Sequence, residues 1–289
     1  MAGPAPTVVV PTHDHGPTLE FSLATALAQT VADLQVVVIG DGVPDGAREL
    51  IHEVCDADER VRFLDRPKAP SRGEAYRHEV LQDVAGPVLY LSDDDLWLPH
   101  HVETMLAALE DGADWAHTLP VWVLPDGELG LHGFDLADGH FRARVSRLAH
   151  PRVPGLSQTG HTIELYRMLP HGWRAAPAGT PTDVHMWRQI LEIPWVRPRS
   201  VPVVTALSFP SPARRGWSPE ERARELGEWH RRLDGDEGRR DFERAVIAKL
   251  AQRAAWEEKH AQLREEALAG GRRGLLRRRR AQPSGSDQS

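Results

Sequence analysis

Short apolar runs alternate with helix-spaced apolar positions along the first hundred residues. "TVVV" (7–10) reads as a buried strand, and "TLEFSLATALAQT" (18–30) as an amphipathic helix carrying Leu19, Leu23, Ala26 and Leu27 on one side. A second strand, "LQVVVIG" (34–40), runs into the Gly/Pro turn "DGVPDG". A helix at "ARELIHEVC", a strand at "RVRFLD", a helix over about 73–84 and the strand "PVLYL" follow. Strands alternating with helices predict βαβ units: an α/β fold with a mostly parallel central sheet and helices on both faces. In such sheets ligands bind outside the carboxyl ends of the strands. Three of those ends are polar here, "PTHD", "GDG" and "SDDD", so a ligand crevice is expected there.

Beyond the aspartates, Pro99 is expected to open a helix reaching Glu110, since its fixed φ suits a first turn. From about 113 to 210 the pattern breaks up. "DWAHTLPVWVLPDGELGLHGF" reads as strands joined by a "PDG" turn, and a helix is expected around 183–192. From Pro219 the chain is helical and charged. Phe242, Val246, Leu250, Arg253, Trp256, His260 and Leu263 recur at helical spacing, which predicts one stripe packed against the body. The expected organisation is a ligand-binding half (1–112), a second half of the same domain (113–210), a helical extension (211–269) and a basic, disordered tail (270–289).

Charge changes the picture only at that tail. Residues 270–289 hold six arginines and one aspartate, net +5, so the remainder carries -12 of a chain total of -7. An acidic body gives no reason to expect nucleic acid as partner. The arginines and two leucines of "GGRRGLLRRRRA" suggest peripheral contact of residues 270–280 with an anionic membrane face; a solvated end is the plainer alternative. Cys55 is the lone cysteine, which excludes an intrachain disulfide and fits a reducing, cytoplasmic location. No stretch approaches the roughly 20 apolar residues needed to span a bilayer.

Asp93, Asp94 and Asp95 sit side by side where water is scarce, and adjacent carboxylates repel. A hard divalent cation relieves that repulsion, and Mg²⁺ binds through one or two carboxylates plus waters and phosphate oxygens. The alternative from the residues alone is one helix cap with two solvent-facing acids. "VVVPTHD", "SLATALAQT", "QVVVIGDGVPDG", "EAYRHEV" and "GPVLYLSDDDLWLP" occur together in an order and spacing that resembles glycosyltransferase family 2. The resemblance covers about residues 7–112 closely and extends more loosely to about 192. It implies the GT-A nucleotide-sugar-binding fold and inverting transfer from a nucleoside diphosphate sugar to a hydroxyl acceptor, in a polysaccharide, lipid-linked glycan or other glycoconjugate. By the same resemblance, Pro11, Thr12 and Asp14 line the nucleotide and Asp41 bonds the base. Arg72 and Arg77 are candidates for the diphosphate, Asp93 lies near the ribose, and Asp94 with Asp95 holds Mg²⁺ or Mn²⁺. Gly40 and Ser92 stand where the family's commonest form has acids. From the residues alone, Arg77 also reads as a surface arginine and Asp41 as a turn residue.

Inverting transfer needs a carboxylate to take the proton of the attacking hydroxyl. The resemblance puts that base at Asp183 in "GTPTDVHMWRQIL", where Thr182 replaces the family's glutamate. Helix capping is the alternative for either residue. His100, His101 and His185 have no zinc-site spacing, and Trp97, Trp115, Trp122 and Trp173 read as core or pocket wall. Sugar-phosphate nucleotidylyltransferases share the layout, but "PTHDHGPT" is not their Gly-rich phosphate loop. A catalytically silent relative that binds a nucleotide sugar or a protein partner is the other-class alternative, kept open by Gly40, Ser92 and Thr182.

Overall fold

A computed structural model describes residues 3–131, 133, 135–148 and 151–280, with side chains to 264. The alternating first half forms as expected. Strands β1 (Thr7–Thr12), β2 (Gln35–Asp41), β3 (Val61–Arg66) and β4 (Val88–Tyr90) are separated by helices α1 (Thr18–Leu27), α2 (Asp45–Ala57) and α3 (Glu74–Asp83). Leu96–Trp97 is a short strand, β5, and α4 spans His101–Glu110. Pro99 therefore precedes the helix rather than opening it. The chain stays extended to Leu98, whose N–H donates to Thr205 O at 2.8 Å, and turns helical only after Pro99.

The irregular region contains β6 (Trp115–Thr118), the hairpin β7 (Val121–Val123) and β8 (Leu129–Leu131), α5 (Gly139–Arg147), β9 (Thr159–His161) and α6 (Ile163–Arg167). Then come α7 (Thr182–Leu191), β10 (Pro198–Val201), β11 (Ala206–Ser208), α8 (Pro219–Asp234) and α9 (Asp236–Arg280). The central sheet runs β10-β6-β9-β4-β1-β2-β3, and a smaller one runs β5-β11-β7-β8. β3, β2, β1 and β4 are mutually parallel, whereas β9 is antiparallel to both β4 and β6. β1 thus lies between β2 and β4, and their carboxyl ends open together on one edge. Val8, Val10, Val36 and Val38 bury one sheet face with Leu19, Leu23 and Ile51 of the covering helices. Val9, Val37, Tyr90 and Trp115 bury the other with Trp173 and Trp187.

The chain divides into two compact units, 1–240 and 241–289. Helix α8, expected in a separate extension, belongs to the first. A capping box starts it, with Ser218 and Glu221 each bonding the other's backbone N–H. In the second unit α9 continues through residues 270–280, expected as disordered; residues 281–289 lie outside the described residues. Of the stripe expected along α9, Phe242 and Val246 are buried, but Trp256 and Leu263 are 59% and 49% exposed. No described helix is long and apolar enough to cross a membrane.

Polar groups pin the interior. Trp173 Nε1 donates to Tyr90 Oη (2.8 Å), which donates to His161 Nε2 (2.7 Å), while His161 Nδ1 bonds Thr162 O. Burial keeps His161 and His117 neutral, pushed down to about 4, and His101 to about 3. Asp95 goes the other way. Burial, then the Asp94 charge, push it up to about 7 against the hydrogen bonds it accepts.

These shifts set an acid limit on stability. Between about pH 4 and 6.5 the unfolded chain takes up three protons at these histidines that the folded chain excludes, and Asp95 offsets one of them. Stability falls as pH drops through that window, by at most about 3 kcal/mol per pH unit for two net protons. Urea midpoints at pH 7 and pH 5 check this; an equal or higher midpoint at pH 5 refutes it.

Candidate active site

The open carboxyl ends of β1, β2 and β4 border a cavity of about 490 Å³. Pro11, Thr12 and Asp14 line it from the β1 end, with Thr12 buried and Asp14 exposed at the rim. Asp41 lines it from the β2 end, Asp93 and Asp94 from the β4 end, and Arg72 and Arg77 from around the start of α3. Asp183 faces the same space from the first turn of α7. Of the residues that the resemblance assigned to the site, only Asp95 is elsewhere.

Asp95 is buried beneath the cavity wall. Its carboxylate accepts from Ser157 Oγ (2.5 Å), Ser208 Oγ (2.9 Å) and the Phe209 N–H (2.9 Å), and its carbonyl accepts from Ser22 Oγ (2.8 Å). Those donors come from α1, from the turn before β9 and from β11. The carboxylate expected beside Asp94 as a metal ligand is therefore committed to joining the two sheets.

Asp93 and Asp94 each have a cation bonded to them. His15 Nδ1 donates to Asp93 Oδ1 at 2.7 Å, and Arg222 Nη2 of α8 donates to Asp94 Oδ2 at 2.5 Å. Ser211 Oγ donates to the same Asp94 oxygen at 3.2 Å. Burial alone raises Asp93, but the His15 hydrogen bond and charge bring it net below the usual carboxylate range. Asp94 is raised by burial and by Asp93, against the pull of His15 and Arg222. For His15, burial works against protonation, yet the Asp93 bond and both aspartate charges lift it to about 9. Sequence reading missed both cations. His15 stands inside the quoted "PTHD" region and had a signal; Arg222 lies 128 residues from its partner and had none.

Glycine shapes the β2 end. Gly42 takes φ +68°, and a Cβ there would sit 2.7 Å from Lys68 Cβ and 2.8 Å from its backbone N. The tight turn sets Lys68 Nζ 2.5 Å from Asp41 Oδ2, while the Ala69 N–H bonds Oδ1 at 2.5 Å. Gly73, at φ +67°, brings the start of α3 against Asp41, whose Cγ would lie 3.2 Å from a Cβ. At Gly40 a Cβ would meet the Phe63 ring at 2.9 Å, so packing fills the place of the missing acid.

The α3–α7 corner carries the remaining charges. Arg77 is buried, not on the surface: it lies 4.9 Å over the Trp173 ring, donates to Arg72 O at 3.0 Å and leaves Nε unpartnered. Thr182 caps nothing; its hydroxyl donates to Glu74 Oε1 at 3.1 Å, tying α7 to α3. Asp183 is half-buried. Burial raises its pKa, opposed by Arg77 and then Arg72. It is not a cap either, since the α7 N-cap is Pro181 with no side-chain bond.

His15, Asp93 and Asp94 each offer a ligand atom, all within 4.8 Å of one another. Once His15 gives up its proton, one imidazole nitrogen and two carboxylate oxygens form a donor set that a divalent ion such as Mn²⁺ fits.

The sequence profile of glycosyl transferase family 2 matches residues 7–128, which contain the β1, β2 and β4 ends that border the cavity but not Asp183 of α7. Residues 7–128 are thus similar to glycosyl transferase family 2. The glycosyltransferase GlyA of Streptococcus pneumoniae is 28% identical over 100 residues, 34% of this chain and 14% of that protein. An uncharacterized glycosyltransferase of Nostoc is 22% identical over 105 residues, 36% of this chain and 32% of its own length. The matched part of the chain thus spans less than a third of these relatives. S. aureus TarS in complex with UDP-GlcNAc superposes at TM-score 0.57 and 12% identity, covering 80% of this chain and 67% of that one. The mannosyltransferase PcManGT of Pyrobaculum calidifontis, with GDP-Man and Mn²⁺, gives 0.53 and 15%, covering 91% and 81%. The chain shares the GT-A fold of these structures.

The turn that aims Asp41 yields a direct check. Gly42→Ala meets backbone atoms of Lys68 in a φ region L residues avoid, and should cost about 1–3 kcal/mol. A denaturation midpoint equal to wild type would show that the turn holds no such constraint.

Proposed function

We propose that this chain is an inverting, metal-assisted glycosyltransferase that moves a sugar from a nucleoside diphosphate sugar to a hydroxyl-bearing acceptor. The observation that carries this reading is one cavity with Asp93 and Asp94 on one wall, Asp183 on another and the buried Arg77 guanidinium at the same corner as Asp183. The nucleotide lies along Pro11, Thr12 and Asp14, with its base toward Asp41, whose carboxylate is already oriented by Lys68 and Ala69. Arg77 keeps an unpaired N–H for an anion, and Arg72 is exposed beside it. UDP-GlcNAc and GDP-Man in the two structural neighbours support a donor of this class.

Asp93 and Asp94, with His15 in place of Asp95, would hold Mg²⁺ or Mn²⁺; bound there, the ion offsets the charge that develops on the leaving diphosphate. Asp183 takes the proton of the acceptor hydroxyl as it attacks. Its raised proton affinity makes it a stronger base than a free aspartate, and the Arg77 charge opposes that rise. Trp173 fixes Arg77 through ring contact, and is itself fixed by Tyr90.

The basic run at 270–280 supports peripheral attachment to an anionic membrane face, each arginine near the surface contributing about 1 kcal/mol. Deleting residues 270–289 should abolish cosedimentation with anionic liposomes; unchanged cosedimentation removes the anchor. For the chemistry, donor turnover with wild type, Asp183→Asn and Asp94→Ala is the test. Asp183→Asn should lose about 10²–10⁴-fold in rate while still binding nucleoside diphosphate. Asp94→Ala should lose metal-dependent nucleotide binding. Near-normal turnover in Asp183→Asn takes that residue out of the mechanism.

A further inference from the structure

The two acids expected to receive a divalent ion already have cationic partners of their own. His15 lies on Asp93, and Arg222 lies on Asp94, with the Arg222 and Asp94 side chains only 12% and 11% exposed. Arg222 is not a stray surface contact. Its Nη2 also bonds Ser211 Oγ at 2.9 Å, so guanidinium, hydroxyl and carboxylate form a closed triangle.

The helix that carries Arg222 is seated at several points. The Gly16 Cβ position lies 3.7 Å from Pro219 Cβ, which sets the start of α8 beside the loop bearing His15. Gly227 allows close approach to α1, for a Cβ there would lie 2.8 Å from the Phe21 ring. The buried Arg214 pairs with Glu225 of α8 (2.5 Å) and donates to Val123 O (2.9 Å), fastening the helix to the smaller sheet.

A fixed cation on Asp94 has a consequence for metal binding. An added divalent ion meets a guanidinium at short range, and in a site this buried the repulsion is screened little. A diphosphate brings the negative charge that restores balance. We propose that Arg222 is a positioning residue that makes the acidic pair a poor site for bare metal and a good site for a metal–nucleoside diphosphate complex. This rests on the donor-site reading above. Arg222 acts through Asp94 and through charge; no contact with substrate is assigned to it.

Calorimetric titration of MnCl₂ tests this on the full chain, alone and with saturating UDP, GDP or dTDP, for wild type, Arg222→Gln and Arg222→Lys. Wild type should bind Mn²⁺ at least about tenfold more tightly with the fitting nucleotide than without. Arg222→Gln should tighten binding of Mn²⁺ alone by about tenfold or more and so narrow that gap, while Arg222→Lys stays near wild type. Tightening on loss of a side chain is a result that structural damage cannot produce. Unchanged or weaker Mn²⁺ binding in Arg222→Gln overturns the coupling. So does a wild type that binds Mn²⁺ equally with and without nucleotide, a result that needs no variant to fold. Failure of wild type to bind any nucleotide with Mn²⁺ overturns the donor-site reading as well, so the two failures are distinguishable.

Discussion

The buried carboxylate of Asp95 is the constraint on which the site depends. Among the described residues no cation pairs with it; its three donors are two hydroxyls and a backbone N–H. Hydrogen bonds of this kind contribute about 0.5–3 kcal/mol each, more when the carboxyl is ionised, and losing one leaves a buried polar group unsatisfied. Because the donors belong to the turn before β9 and to β11, and Ser22 of α1 holds the Asp95 carbonyl, one residue fixes three segments at the end of β4. Asp93 and Asp94 precede it directly and inherit their direction from it. The third acid of the run is thus the anchor, and it lets the first two face the cavity.

That division explains what was legible in the chain and what was not. The β1–α1–β2–α2–β3–α3–β4 alternation follows from local periodicity, and the cavity-facing positions of Pro11, Asp41 and Asp94 follow from lying at strand ends. β5 and β11 were not legible: two or three residues each, they become strands only by pairing across a long sequence gap. Asp95 was misjudged for the same reason. Its donors at 157, 208 and 209 are far away in sequence, so nothing local separates it from Asp94. The α9 stripe is buried only at Phe242 and Val246, because helical spacing establishes a face without establishing how far along it anything covers it.

Helix α8 shows how a charged helix can belong to a site without carrying any motif for it. Its composition reads as solvated extension, and its exposed face is that. Its N-terminal turn, however, is positioned by a capping box, by Gly16 across from Pro219 and by the Arg214–Glu225 pair, each short-range once the fold is formed. The arginine is informative only in combination with a buried aspartate that cannot be neutralised by water.

The same charge accounting separates the two ends of the cavity. At the β4 end His15 and Arg222 match Asp93 and Asp94, so the free site is close to neutral there. At the α3–α7 corner Arg77 and Arg72 lie near Glu74 and Asp183, but Glu74 is occupied by Thr182, Ser71 and the Arg72 N–H, and Asp183 has no hydrogen bond among the described residues. Arg77 therefore acts on Asp183 through space without a direct bond, opposing the rise that burial causes and leaving its lone pairs unoccupied. A base that must accept a proton from an incoming hydroxyl requires that combination. A bidentate Arg77–Asp183 pair would hold the carboxylate ionised but leave it no lone pair to use.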